Sequence, residues 1–233
     1  MKTVCYVVDD NYHDLAIHSI ECCKRVAKQD LRYFILGNIT NKHTGVNYIT
    51  PPAQLKNVHV IDQKYYLPEI MYDLNVEKYL YMDADTVPVR CPGTLIDTDI
   101  SSFCVGCCSH MFYNDWNQAL EWSDTIDNGT TRSFIPQENL FDKFTNVGVI
   151  LFNVKDYLNN DILSRYLFLK SKSKLPYPGD EWFFNYAVIN RRLILDSRWN
   201  WHPTQETTQW TRPYIIHDIG KTIRKPRHST AYT

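Results

Sequence analysis

The sequence predicts one α/β domain over residues 1–233, with a mostly parallel central sheet and helices on both of its faces. Three observations predict it. Short β-branched runs alternate with helix-period segments through the first hundred residues, the pattern of a parallel sheet covered on both sides. A chain of 233 residues carries one substantial hydrophobic core and is short for two. Apolar residues make up 44% and charged residues 22%, a globular balance that excludes a disordered body.

Residues 2–8 form a short apolar run that reads as a buried first strand, broken by Asp9-Asp10-Asn11. Ala16, Ile20, Cys23 and Ala27 then recur at steps of four, three and four, which predicts a helix. Residues 32–36 read as the second strand, closed by Gly37-Asn38, and residues 40–52 as a loop. Residues 58–61 are expected to be a third strand, 67–74 a short helix and 78–82 a strand ending in Asp83-Ala84-Asp85. Further on, residues 103–108 suggest a strand, and 114–141 a polar and aromatic segment that wraps the cleft. Its Trp116, Trp122 and Phe134 suit an acceptor-side lid or an ordinary packed insertion equally well. Residues 145–154 read as a central strand, 156–172 as one helix, 180–190 as another helix after a Pro/Gly turn, and 193–195 and 214–216 as late strands.

Composition narrows the function. A formal net charge of −1 leaves no broad basic surface for nucleic acid, which disfavours a metal-dependent nuclease. No secretory signal is read at the start, and the longest apolar run, residues 147–152, is far too short to span a bilayer. Seven cysteines are an odd number, read as reduced thiols in a cytoplasm-like compartment. Cys104, Cys107 and Cys108 lack a second Cys/His pair at matching spacing, so packed structural thiols are preferred to zinc.

The chemistry concentrates at strand ends. An apolar strand delivers Asp83 and Asp85 at its carboxyl end, where open α/β sheets bind ligands. If strand geometry persists for two residues, both side chains point the same way. Two adjacent carboxylates repel unless a cation or hydrogen bonds compensate them, and hard oxygen ligands suit Mn²⁺ or Mg²⁺ beside substrate phosphates. Asp9 and Asn11 cap the first helix or bond a base or ribose. Gly148, inside a strand, implies close backbone approach or a bulge. Asp180 and Glu181 open a helix, where the dipole alone favours acids. His217 follows an apolar strand and is either structural or a third metal ligand.

In this order, the pieces resemble glycosyltransferase family 8 proteins of GT-A fold, the group of bacterial lipopolysaccharide galactosyl- and glucosyltransferases and of glycogenin. The matching runs are Val7-Val8-Asp9-Asp10-Asn11-Tyr12, Tyr79-Leu80-Tyr81-Met82-Asp83-Ala84-Asp85, Thr145-Asn146-Val147-Gly148-Val149, Asp180-Glu181 with Asn185, Trp199-Asn200-Trp201 and His217-Asp218-Ile219-Gly220. The resemblance implies a UDP-sugar donor, with glucose or galactose favoured, and a glycan or other hydroxyl acceptor. Asp9 and Asn11, flanked by Val7 and Tyr12, would meet the uridine. Asp83, Asp85 and His217 would hold Mn²⁺ or Mg²⁺, with Ala84 also on the donor. Gly220 and either Lys221 or Lys225 would contact the diphosphate. Asn146 and Gly148, with the catalytic candidates Asp180 and Glu181, would face the transferred sugar. It divides the chain into a nucleotide-binding half, residues 1–110, and an acceptor-side half with the metal-binding C-terminal segment, residues 111–233.

Three departures from the family pattern stand out. Lys225-Pro226 is followed by Arg227 where the family has Trp, and Lys221 directly follows Gly220. Where the family has an Arg in the helix before the Asp-x-Asp strand, Tyr66 stands here with Lys64 nearby. Asp180-Glu181 replaces the common Asp-Gln, and a Glu, unlike a Gln, can serve as nucleophile or base. Retaining transfer is the expectation, with inversion through Glu181 as base, or a nucleotide-sugar binding protein of little turnover, as the alternatives.

Overall fold

The computed structural model describes residues 1–175, 179–203 and 212–217. The elements in chain order are β1 (Lys2–Val7), α1 (His13–Val26), β2 (Leu31–Leu36), β3 (Asn47–Ile49), α2 (Val60–Gln63), α3 (Leu67–Asp73), β4 (Lys78–Met82), β5 (Thr86–Pro88) and α4 (Gly93–Ile96). They continue with β6 (Val105–Ser109), α5 (Trp116–Asp127), β7 (Thr145–Asn153), α6 (Val154–Asn159), α7 (Ile162–Lys172), α8 (Asp180–Ala187), β8 (Arg192–Leu195) and β9 (Ile215–His217).

Seven strands form one sheet in the order β3-β2-β1-β4-β7-β6-β8. β7 runs antiparallel to both its neighbours, and every other pairing in the sheet is parallel. Strand residues alternate between two cores. Tyr79 and Tyr81 of β4 and Ile150 and Phe152 of β7 enter one, beneath α3 and α5 to α8. Leu80 and Met82, with Val149 and Leu151, enter the other, beneath α1 and α4. A sheet covered on both faces needs near-continuous apolar strands, which is how β1, β4 and β7 read.

The reversed β7 decides where the site falls. The carboxyl ends of β1, β4 and β6 open on one rim of the sheet. Because β7 is antiparallel, its amino end, Thr145 to Gly148, arrives at that same rim. A separate two-stranded sheet pairs β5 with β9 antiparallel and sets Thr86 opposite His217.

Several expectations are corrected. Residues 58–61 are not a strand: α2 begins at Val60, with the His59 ring accepting the Ile61 N–H at 3.3 Å. A four-residue apolar run does not distinguish strand from helix. The place beside β2 is taken instead by β3, inside the expected loop of residues 40–52. The helix expected over 156–172 is two, α6 and α7, parted at Asp161, whose left-handed φ of 52° interrupts the helix. The stretch 114–141 contains α5, capped by the Asp115 side chain accepting the Gln118 N–H at 3.0 Å. Its buried stripe includes Trp116, Ala119, Leu120, Ser123 and Asp127, so two polar residues masked a helical face. Trp116 is wholly buried and Phe134 packs edge-on to Phe168, as in a packed insertion, whereas Trp122 rests 4.9 Å from Trp182 and stays exposed.

Candidate active site

The rim holds a cleft of about 600 Å³. β1 brings Val7 to it, followed by Asp9 and Tyr12; β4 brings Tyr81, Asp83, Ala84 and Asp85; β7 brings Asn146; α8 brings Asp180 and Glu181; β9 brings His217. Sequence-selected residues from four quarters of the chain therefore share one wall. α2, expected as a strand, also faces the cleft through Val60 and Ile61.

Asp83 and Asp85 meet, but not by continuing the strand. Residues 84–85 turn, with the Thr86 N–H reaching the Asp83 carbonyl at 3.3 Å and the Thr86 hydroxyl reaching it at 2.7 Å. The turn still aims both carboxylates at His217. His217 Nε2 lies 3.3 Å from Asp85 Oδ1 and 3.6 Å from Asp83 Oδ2. One ligand atom from each of the three lies within 4.8 Å of the others. The Tyr81 hydroxyl donates to Asp83 Oδ1.

This donor set fits a divalent cation. Burial works against a charged His217, yet its hydrogen bond to Asp85, and the charges of Asp85, Asp83 and Glu181, outweigh burial and raise its pKa. Such a cluster favours positive charge at the imidazole Nε2, where a cation would sit. The opposite ring nitrogen, Nδ1, lies 2.9 Å from Asn200 Oδ1. An amide oxygen only accepts, so Nδ1 carries a hydrogen and Nε2 is directed at the carboxylates, the orientation a metal-binding imidazole needs. Gly148 packs against this ring: a Cβ there would stand 2.1 Å from His217 Cε1 and 3.0 Å from Asp83 Oδ2. The close approach expected of this strand glycine is thus to the His217 and Asp83 side chains.

The two acids of α8 have separate surroundings. Asp180 is buried, its Oδ2 accepting from the Tyr65 hydroxyl at 2.9 Å and pairing with Lys64 Nζ at 3.0 Å. Lys64 is itself buried beside the Tyr65 and Tyr81 rings. Burial disfavours its ammonium, but Asp180, then Asp83 and Glu181, override that and raise its pKa. Glu181 accepts the Asn146 side-chain N–H on Oε1 at 2.7 Å, and its Oε2 lies 3.2 Å from His110 Nε2.

Asp9 accepts the backbone N–H groups of Asn11 and Tyr12 at 3.0 and 3.3 Å, so it organises the turn into α1. The Asn11 side chain donates back to Asp9 at 3.3 Å. Asp10 ties the turn to the Thr40 N–H and hydroxyl, which hold its carboxyl below the ordinary range. Gly220, Lys221 and Lys225 lie outside the described residues.

Sequence reasoning passed over His110 and Asn200 as site residues and noted Lys64 only as a neighbour. His110 had a findable signal, since it directly follows β6 and so lands on the ligand-binding rim. The buried Lys64 had none, because burial of a lysine depends on partners distant in sequence.

The chain belongs to the glycosyl transferase family 8, whose family model matches residues 3–226. It is a glycosyltransferase with a GT-A fold. A solved structure of the galactosyltransferase LgtC in complex with donor and acceptor sugar analogs is 17% identical, with a TM-score of 0.72 over 94% of this chain and 87% of that one. An active-site glutamine-to-glutamate mutant of LgtC is also 17% identical, with a TM-score of 0.74 over 99% and 91%. The glycosyltransferase GlyE of Streptococcus pneumoniae TIGR4 is 15% identical, with a TM-score of 0.68 over 99% of this chain and 57% of that one. No curated protein sequence matches the chain significantly.

Proposed function

We propose that the chain transfers a hexose, glucose or galactose, from a UDP-sugar to a glycan or other hydroxyl acceptor, with retention, in a reaction that requires Mn²⁺ or Mg²⁺. The observation that carries this reading is the convergence of Asp83, Asp85 and His217 in the same cleft as Asp180 and Glu181. Asp83, Asp85 and His217 hold the ion, which when bound neutralises charge on the departing diphosphate. Val7, Asp9 and Tyr12 line the end assigned to the nucleoside, and Asn146 orients Glu181 toward the sugar.

Glu181 is the better catalytic candidate of the two acids. Asp180 is committed to Lys64 and Tyr65, whereas Glu181 presents a carboxylate, oriented by the Asn146 amide, to positive charge developing on the sugar ring. Its Oε1 accepts the Asn146 amide, which suits a fixed carboxylate that stabilises charge, the role retention asks of it. Residues 1–110 are taken as the nucleotide-binding half and residues 111–233 as the acceptor-side half. Among the described residues no helix is long and apolar enough to cross a membrane. A reducing, cytoplasm-like compartment accords with seven thiols that form no disulfide.

The test is calorimetry with UDP-glucose, UDP-galactose, UDP-N-acetylglucosamine and GDP-mannose, each with and without Mn²⁺. One UDP-sugar should bind only with the metal, and Asp85→Ala should abolish that binding and turnover. Failure of all four donors with the folded protein overturns the reading. NMR of the product linkage decides retention, and an inverted anomer would transfer the role of Glu181 to that of a base on the acceptor hydroxyl.

A further inference from the structure

We propose that His110 is a positioning residue for Glu181, holding that carboxylate in place through a close polar contact whose donor edge the backbone fixes. The inference rests on the proposed glycosyl transfer and concerns a residue that reading does not otherwise use.

The argument begins at the end of β6. His110 Nδ1 receives two backbone N–H groups, from Phe112 at 3.1 Å and Tyr113 at 3.2 Å. A nitrogen accepting two amide hydrogens does not also carry one, so the ring hydrogen sits on Nε2. Nε2 lies 3.2 Å from Glu181 Oε2, so the N–H edge of the imidazole is the one turned to the carboxylate. The ring has little freedom to turn away. It stacks on Tyr113 with centroids 4.8 Å apart and an interplanar angle of 17°, meets Phe144 edge-on, and its side chain is 7% exposed.

The other oxygen of Glu181 is fixed by the same logic from the opposite side. Asn146 Oδ1 accepts the Gly148 N–H at 2.8 Å and the Asn200 side-chain N–H. That settles which end of the Asn146 amide is oxygen, so its nitrogen is the end that donates to Glu181 Oε1. Both polar groups against Glu181 are thus oriented by main-chain groups, and Glu181 cannot rotate without leaving one of them. With Nδ1 occupied, His110 has no second site through which to relay a proton. Its role is orientation, and a carboxylate misplaced by about 1 Å at a reacting centre costs up to roughly 100-fold in rate.

The experiment compares His110→Phe, which keeps a flat ring on Tyr113 but has no donor, with His110→Gln, whose amide nitrogen reaches the Nε2 position. Turnover is read as UDP release from UDP-glucose or UDP-galactose with Mn²⁺, water or free hexose serving as acceptor. His110→Phe should lower kcat by roughly 10–100-fold while calorimetric Kd values for donor and Mn²⁺ stay within about twofold. His110→Gln should recover most of the loss. Unchanged kcat in His110→Phe, or an equal loss in a folded His110→Gln, overturns the proposal. An imidazole ¹⁵N spectrum gives a readout independent of activity: His110 should appear as the Nε2–H form, and an Nδ1–H form overturns the proposal even if no donor binds. A wild-type protein that binds no donor yet shows the Nε2–H form refutes the glycosyl-transfer reading alone.

Discussion

Replacing Gly148 with alanine tests the proposed metal site through the packing that shapes it. A Cβ at this position would stand 2.1 Å from Cε1 and 2.5 Å from Nδ1 of His217. Ordinary carbon contacts begin near ~3.4 Å, so the ring must retreat by roughly 1.3 Å or the strand must shift. Neither is easy. The ring is tied to Asn200 Oδ1 at 2.9 Å, and the Gly148 carbonyl accepts the Asp83 N–H at 2.8 Å just beyond the end of the β4–β7 ladder. The backbone at Gly148 is ordinary strand, so alanine brings no conformational penalty of its own and the effect isolates the contact. Overpacking of this kind costs about 1–3 kcal/mol. Ligand distances tolerate only about ±0.2 Å, so a displacement of this size removes His217 from the ligand set. The expected outcome is a modest loss of thermal stability, about 2–4 °C for each kcal/mol lost, with Mn²⁺ affinity reduced by roughly 10-fold or more. Mn²⁺ titration by electron paramagnetic resonance, run beside a thermal melt, measures both. A Gly148→Ala protein that binds Mn²⁺ as tightly as the wild type would falsify the assignment of His217 as a ligand.

Other outcomes follow from the same geometry. Lys64→Met leaves Asp180 buried without its cation and should cost about 3–5 kcal/mol in urea denaturation; a cost below about 1 kcal/mol would mean the pair does not hold α8. Asn200→Ala removes the acceptor of His217 Nδ1 and should weaken Mn²⁺ binding by roughly 10–100-fold, with the fold intact by circular dichroism. Alkaline stability reports the buried thiols. Burial pushes Cys23 and Cys107 up to about 12 from an ordinary 9.0, before smaller contributions from neighbours. As pH rises above 9, the unfolded chain releases thiol protons that the folded chain keeps. Each of the two therefore contributes stability that is complete below pH 9 and is progressively lost toward pH 12. At pH 10 the loss is about 1.4 kcal/mol per thiol, and denaturation at pH 8 and pH 10 should show a flatter dependence in the Cys23→Ala, Cys107→Ala double variant.

The strand–helix alternation, the three dense strands β1, β4 and β7, and the candidacy of Asp83, Asp85, His217 and Glu181 are legible from local pattern alone, because each lies at a strand or helix end. α5 escaped notice because Ser123 and Asp127 interrupt its apolar stripe, and α2 because four apolar residues suit either period. The antiparallel run of β7, which carries Asn146 and Gly148 to the rim where β4 ends, is visible only in the folded sheet. The same folding returns β9 beside β5, which sets His217 against the two carboxylates, and brings Lys64 to Asp180, Asn200 to His217 and His110 to Glu181. The physical reason is one of range. Helix and strand periods are written in neighbouring residues, whereas the orientation of a buried polar side chain is set by partners such as Asn146 and Glu181, 35 positions apart, that meet only once the sheet has formed.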